Sequence, residues 1–406
     1  MARPRIKDVA LRAGVSEKTV SNVINDYVHV SERTRRVVRQ AIDDLGYRVN
    51  LAGRHLRRGR TGIIALVVPE LDLPYFAELA NLIVAEAERN GLTVLVHQTR
   101  AVREHELSAL DGFGSDFADG VILSPLALVD EDLRSRSGAL PTVLLGEKLS
   151  AGCADHVAID NAAAAREATE HLLQLGRRRI LVVGGFDGES EGTAEVRTRG
   201  HRAALAAAGV PFDPQLVVPV AKFATPDGAA ATHRALTDGL APDAVLALND
   251  QMAIGAVRAL HERGLRVPED VAVVGFDDVE AGRYSVPTLT TVAPDKAEIA
   301  AVAVALLIGR IAEARGQGAG GPADAPGSVS ADGAPAGAAG GAPGMNGAAP
   351  AHGGVNGAAA PAGSPARARA GRVQPPHERV VPHRLVIRES TSGARKSTVP
   401  GPRAGD

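Results

Sequence analysis

Apolar side chains recur at helical spacing from the first turn of the chain. Ile6, Val9, Ala10 and Ala13 share one face of a predicted helix, and Gly14 supplies the permissive residue at which it can end. Ser16 is placed as an N-cap whose oxygen accepts from the Thr19 amide. Val15 and Val20 flank it as a hydrophobic staple, so a second helix should begin at Glu17. Val30 and Ser31 repeat that signal. A third helix over Thr34–Leu45 would turn Val37, Val38, Ala41, Ile42 and Leu45 inward. The predicted unit is helix, glycine turn, helix, then a supporting helix.

After Arg60 the period changes to short apolar runs alternating with helical patterns, which is how a parallel sheet covered by helices reads. Ile63–Val68, Thr93–His97, Gly120–Leu123 and Thr142–Leu145 read as strands. Tyr75–Asn90 reads as a helix with Phe76, Leu79, Leu82 and Ile83 on its apolar face, a candidate for part of a dimer contact. The alternation then restarts with strands at Ile180–Val183, Leu216–Val220, Val245–Leu248 and Val271–Phe276, interleaved with helices at 163–175, 195–208, 226–237 and 251–263. The expected fold is α/β, with an all-α head and a two-lobed body of the periplasmic-binding-protein kind containing parallel sheets. A small molecule would bind between the carboxyl ends of the strands of the two lobes. The apolar run Ile299–Ile308, between Glu298 and Arg310, is far shorter than the roughly 20 residues of a membrane span and reads as a buried helix.

Charge sharpens the reading of the head. The 406-residue chain has a net charge of −2, yet residues 1–60 hold 14 Lys/Arg against 6 Asp/Glu. A polyanion is the natural partner of that end. Cys153 is the only cysteine, so no intrachain disulfide can form, and MARPRIK leads into no apolar signal-peptide core. A cytoplasmic protein is expected. In a helix-turn-helix the second helix enters the major groove and presents its N-terminal residues to base edges. Here those are Glu17, Lys18, Ser21 and Asn22: Lys can donate to guanine, Asn can pair with adenine and Glu can accept from cytosine. Thr19, Arg33, Arg35, Arg36 and Arg39 would hold phosphates. The blander alternative is a small helical cap with a solvated charged face.

IKDVALRAGVSEKTVSNVIN, VSERTRRVVRQAIDDLGYRVN and LAGRHLRRGRTGIIALVVP together resemble the lactose- and galactose-repressor (LacI/GalR) family of bacterial transcription regulators. The resemblance covers residues 5–314 and again about 378–391. It implies a helix-turn-helix domain at 1–47, a hinge helix at 48–60, one effector lobe at 61–162 and 291–314, and a second at 163–290 and 377–391. It further implies that the hinge folds when two protomers dock on a roughly palindromic operator, Leu56 entering the minor groove while Arg54, Arg57 and Arg58 hold phosphates. Three positions depart from the family pattern: Val49 stands for proline, Gly53 for alanine and Asn22 for arginine. Gly53 costs a helix about 1 kcal/mol relative to alanine, so a hinge disordered off DNA and marginally helical on it is expected. Asn22 favours an altered half-site.

Polar residues gather at the predicted strand ends: Glu147, Asp160, Asn161, Asn249, Asp250, Asp277 and Asp278, with Arg197 opening a helix. Such a set suits a neutral polyhydroxylated ligand, since each hydroxyl both donates and accepts, and a mono- or disaccharide is the leading candidate. Asp250 and Asp278 read better as caps of the helices that come after them. By resemblance, Asp160, Arg197, Asn249 and Asp277 match effector-contacting positions, Phe223 matches an aromatic on which ligands stack, and Glu147 falls where the family varies with ligand class. Induction by a sugar is the family-based expectation.

Rival chemistry finds less support. GESEG, residues 188–192, fits the nucleophile-elbow pattern, but Ser190 lies well beyond the end of the nearest strand, and Glu189 and Glu191 would oppose an oxyanion. A serine hydrolase or a cytoplasmic small-molecule-binding protein are the alternatives to a regulator. No HExxH, CxxC or Walker pattern occurs, so no metal, cofactor or enzymatic role is expected. Residues 315–376 are dominated by Ala, Gly and Pro and contain no Leu, Ile, Phe, Tyr or Trp. Such a segment cannot bury enough apolar surface to offset ordering entropy, and reads as a disordered insertion ahead of a closing strand, with a flexible tail at 392–406. Deleting 316–376 should leave operator affinity unchanged at constant dimer fraction, measured by fluorescence anisotropy beside sedimentation; lost affinity would show that the segment takes part in DNA reading.

Overall fold

The computed structural model describes residues 4–24, 27–47, 61–112, 117–136, 140–146, 152, 154–186, 188, 192–318 and 376–392. The hinge segment 48–60, nearly all of the insertion and the residues after Ser392 lie outside the described residues.

The head is three helices, α1 (Ile6–Ala13), α2 (Glu17–Ile24) and α3 (Glu32–Leu45). Gly14 ends α1 at φ 66°, a left-handed conformation that suits glycine, and the Val15 amide closes the turn on the Ala10 carbonyl at 3.0 Å. Ser16 accepts from the Thr19 amide at 3.1 Å, and Ser31 from the Thr34 amide at 3.2 Å, so α3 starts at Glu32, ahead of the expected Thr34. Val9, Val20, Val23 and Val38 fill the small core with Ala10 and Ala41. Val37, expected inward, is 44% exposed, because one face of α3 is all that α1 and α2 can cover.

The body holds two six-stranded sheets. The first contains β1 (Ile63–Val68), β2 (Thr93–Gln98), β3 (Gly120–Leu123), β4 (Thr142–Leu145) and β5 (Asp155–Ile159), joined by helices α4 (Pro74–Arg89), α5 (Arg103–Leu110) and α6 (Asp130–Ser135). The second contains β6 (Ile180–Val183), β7 (Val217–Val218), β8 (Ala244–Ala247), β9 (Ala272–Phe276) and β10 (Thr290–Pro294), with α7 (Asn161–Gln174), α8 (Thr193–Ala207), α9 (Thr225–Thr237), α10 (Asp250–Glu262) and the short α11 (Glu280–Arg283). α12 (Lys296–Gly318) comes next, and its Leu307 packs beneath β3. Each sheet runs in the order second, first, third, fourth, fifth strand, so each has a switch point beside its first strand, where ligand crevices form. The central strands are buried on both faces, which is why they read as unbroken runs such as IIALVV and ILVV.

Two strands escaped the apolar pattern. DHVAI of β5 and TTVAP of β10 carry polar side chains inward, and those of β10 are answered from distant parts of the chain: Thr291 donates to Asp250 at 2.6 Å, and Thr290 accepts from the Arg388 amide at 2.8 Å. The strand expected at Leu216–Val220 shrinks to β7 behind a 3-10 turn at Pro214–Leu216. Leu79 and Ile83 of α4 are buried in the protein's own core, while Phe76 and Leu82 of the face proposed for a dimer contact stay half-buried.

The closing segment also divides differently from the expected lobe boundaries. β11 (Glu378–Val381) adds parallel to β5 in the first sheet, and β12 (His383–Val386), after Pro382, adds antiparallel to β10 in the second. Segment 377–391 therefore serves both lobes, ending in the short α13 (Glu389–Ser392), and residues 291–294 belong to the second sheet. Asp155 brackets the insertion. It accepts from Arg310 Nε and Nη2 at 2.8 and 2.7 Å and from the His377 amide at 2.7 Å. Burial would raise its pKa, but these bonds prevail and hold it below the ordinary carboxylate value.

The covering helices pair backbone to backbone. A Cβ on Gly200 of α8 would stand 2.2 Å from the Ala162 carbonyl oxygen, and one on Gly255 of α10 2.1 Å from that of Thr225. Gly200→Ala should cost about 1–3 kcal/mol in urea unfolding through overpacking. Gly309→Ala, where a Cβ meets nothing within 4 Å, should instead be neutral or stabilising. Equal effects at the two sites would contradict the close approach.

Candidate functional site

On the head, Glu17 and Lys18 stand exposed at the start of α2, while Ser21 and Asn22 are half-buried one turn on. Thr19 is half-buried, its hydroxyl 2.9 Å from Ser16 Oγ. Arg33 and Arg36 are exposed on α3. Arg35 differs from the expectation: its Nη2 donates to the Tyr27 carbonyl at 3.2 Å, its Nε lies 3.4 Å from Glu32, and the side chain is only 12% exposed. It braces the segment after α2, whose start is held by the Tyr27 amide donating to the Asn22 carbonyl. Arg54, Leu56 and Arg57 lie outside the described residues.

In the body, Arg197 is the focus. Its Nε donates to Asn161 Oδ1 at 2.7 Å and its Nη1 to the Leu248 carbonyl. Its guanidinium carbon sits 3.9 Å above the Phe276 ring, and its Nη2 lies 4.0 Å from Asp277 Oδ1. One buried cation thus meets residues at the ends of β5, β8 and β9. Burial pushes the Asp277 pKa up, against the pull of Arg197 and Lys296, and Glu78 adds to the rise. Tyr75, at the start of α4, belongs to this group: burial raises its hydroxyl pKa, Asp277 adds to the shift and Arg197 opposes it. The sequence pattern assigns Tyr75 only to a helix. Its place at the start of the helix that follows β1 was the available signal.

The remaining predicted residues separate. Asn249 Oδ1 caps α10 by accepting from the Met252 amide at 2.8 Å, and its Nδ2 donates to the Phe223 carbonyl at 2.8 Å, which ties the half-buried Phe223 to the end of β8. Asp160 is exposed and caps α7 through the Ala163 amide at 2.8 Å, while its neighbour Asn161 faces Arg197. Asp250 and Asp278 do not cap the helices after them. Asp250 accepts from the Val279 amide at 2.8 Å and from Thr291, and burial foremost, then Asp277, raises its pKa well above the usual value. Asp278 is paired with Arg283 at 2.8 Å and Arg388 at 2.5 Å. Glu147 and Ser190 lie outside the described residues. Among the described residues no group of His, Cys, Asp or Glu could hold a metal ion, and no helix is long and apolar enough to cross a membrane.

A three-helix head on a two-lobed α/β body, with polar side chains gathered at strand ends, is the architecture of a DNA-binding transcription regulator. Known proteins agree. Residues 5–50 match the family model described as bacterial regulatory proteins, lacI family, and residues 169–324 match a periplasmic binding protein-like domain. The HTH-type transcriptional regulator CelR of Thermobifida fusca is 38% identical over 301 residues, covering 71% of this chain and 86% of its own. A solved transcriptional regulator CelR–cellobiose complex is similar at 28% identity and a TM-score of 0.58, covering 96% of this chain and 100% of that one. The lac repressor dimer bound to operator and the anti-inducer ONPF is similar at 28% identity and a TM-score of 0.67, covering 78% and 94%. This chain belongs to the lacI family of bacterial regulatory proteins.

Proposed function

We propose that the protein binds a palindromic operator as a homodimer and represses transcription until a sugar, entering between the lobes, changes its hold on DNA. The observation that carries this reading is the pairing, in one chain, of a capped α2 with exposed Glu17 and Lys18 and a body in which Arg197 gathers Asn161, Phe276 and Asp277 at strand ends. Operator binding is supported by the lac repressor complex, and a disaccharide by the CelR–cellobiose complex. Asp277, Asp160 and Asn249 offer acceptors, Arg197 and Asn161 orient them, and Phe223 and Tyr75 offer ring faces for an apolar sugar surface. Glu147, from its position in the chain, is part of the same proposal.

Lys18, Asn22, Glu17 and Ser21 read bases, Thr19, Arg33 and Arg36 hold phosphates, and Arg54, Leu56 and Arg57 of the hinge enter the minor groove. Arg35 shapes the head instead. Residues 1–47, the hinge 48–60, and lobes rooted in 61–160 and 161–294 act as separable units, with 315–376 a surface insertion. The protein acts in the cytoplasm, beside the chromosome, and carries out no catalysis of its own. A sugar can alter DNA binding only through its different affinity for two arrangements of the lobes.

Asn22→Ala should lower discrimination at one base position by about 1–3 kcal/mol while leaving non-specific, salt-dependent binding intact, read by anisotropy on a selected duplex and its single-base variants. An equal loss on every duplex would make Asn22 a backbone contact. Cellobiose should raise the melting temperature of the wild-type protein by mass action, and Arg197→Ala should abolish that rise while keeping operator binding. A variant that still responds normally would remove Arg197 from the binding set.

A further inference from the structure

Glu78 lies on α4 one turn beyond Tyr75, so the two share a side of that helix. Its carboxylate has two partners. Oε1 accepts from the backbone amide of Glu280 at 2.9 Å, and Oε2 accepts from Lys296 Nζ at 2.5 Å. Lys296 in turn donates to the carbonyls of Asp277 and Asp278 at 2.8 and 3.2 Å, so its three N–H donors are all answered, and its side chain is only 11% exposed. The turn it grips is strained: Asp277 has φ 101° and Asp278 φ 47°, conformations that residues with side chains rarely adopt. Glu78 sits on a helix of the first lobe, Lys296 opens α12, which packs under the first sheet, and the turn 277–280 leaves β9 of the second lobe.

We propose that Glu78 is a positioning residue: with Lys296 it latches first-lobe helix α4 onto the second-lobe turn 277–280 and fixes where the Asp277 carboxylate stands beside Arg197. The consequence for ligand control rests on the reading of the cleft as the effector site; the latch itself does not. Opening the lobes must break the ion pair or carry Lys296 away from the turn. Because Tyr75 and Glu78 ride on one helix turn, loss of the latch frees Tyr75 and Asp277 to shift against each other.

The test is hydrogen exchange and small-angle scattering on the full-length, ligand-free protein. In Glu78→Gln the amide nitrogen must face one of the two donors, so exchange across 278–282 should quicken at least tenfold, with amides of β9 unchanged and a larger radius of gyration. Lys296→Met should do the same, Lys296→Arg should restore slow exchange, and the Glu78→Gln/Lys296→Met double variant should be no looser than either single. Unchanged exchange at 278–282 in Glu78→Gln overturns the latch, as does loosening that spreads equally into β9 or an unchanged radius of gyration. Cellobiose binding is measured separately on the wild type: its absence removes the sugar from the cleft and leaves the latch standing.

Discussion

A guanidinium taken out of water must have its charge and donors answered, and the body of this regulator is arranged around that requirement. Arg197 reaches Asn161 just past β5, the carbonyl of Leu248 just past β8, and the ring and carboxylate that end β9. Three strand ends, one of them where the chain passes from the first sheet to the second, are thereby held to one point. The close approach of α8 to α7 at Gly200 lets Arg197 reach Asn161, because a larger residue would hold the two helices apart. Asp277 stands at the edge of this constellation, where burial favours its neutral form and cations favour its charged one.

What could be read from the sequence was local. Ser16, Ser31 and Gly14 act on groups within a few residues, so the helix boundaries of the head come from them directly, and IIALVV or ILVV can hardly be anything but a buried strand. DHVAI and TTVAP could not be read this way, since Thr290 and Thr291 are buried only because Arg388 and Asp250, distant in the chain, answer them. The polar residues past β5 divide in a way the sequence does not show: the Asp160 carboxylate accepts from an amide of its own helix, while the side-chain oxygen of Asn161 beside it accepts from Arg197. Arg35 shows the same limit: a string of arginines reads as a phosphate surface until one of them finds the Tyr27 carbonyl. Tyr75 reads only as the first residue of a helix, because nothing in its local pattern marks the approach of Asp277 and Arg197 from far along the chain.

Acidic residues crowd the turn after β9, and their cost is met from far along the chain. Asp278 is answered by Arg283 nearby and by Arg388, which lies beyond the insertion. Asp250 is answered by a backbone amide and a threonine hydroxyl, and is driven toward its neutral form. The strained conformation of residues 277 and 278 persists because these partners over-determine it. Cations contributed from α11, α12 and the segment after β12 all converge there, so the last described residues of the chain help shape that turn.

The closing pair β11 and β12 forms the outer edge of both sheets at once, and its exposed side chains include Glu378, Arg379 and Arg384. Charged edges resist pairing with other chains. The strands they shield, β5 and β10, are almost wholly buried. A nascent chain from which β11 and β12 have not yet emerged would present two sticky, unshielded borders. Long alanine- and glycine-rich tracts that delay their emergence would lengthen the window in which a chaperone must stand guard, so the yield of soluble regulator in a cell should depend on how quickly the ribosome clears them.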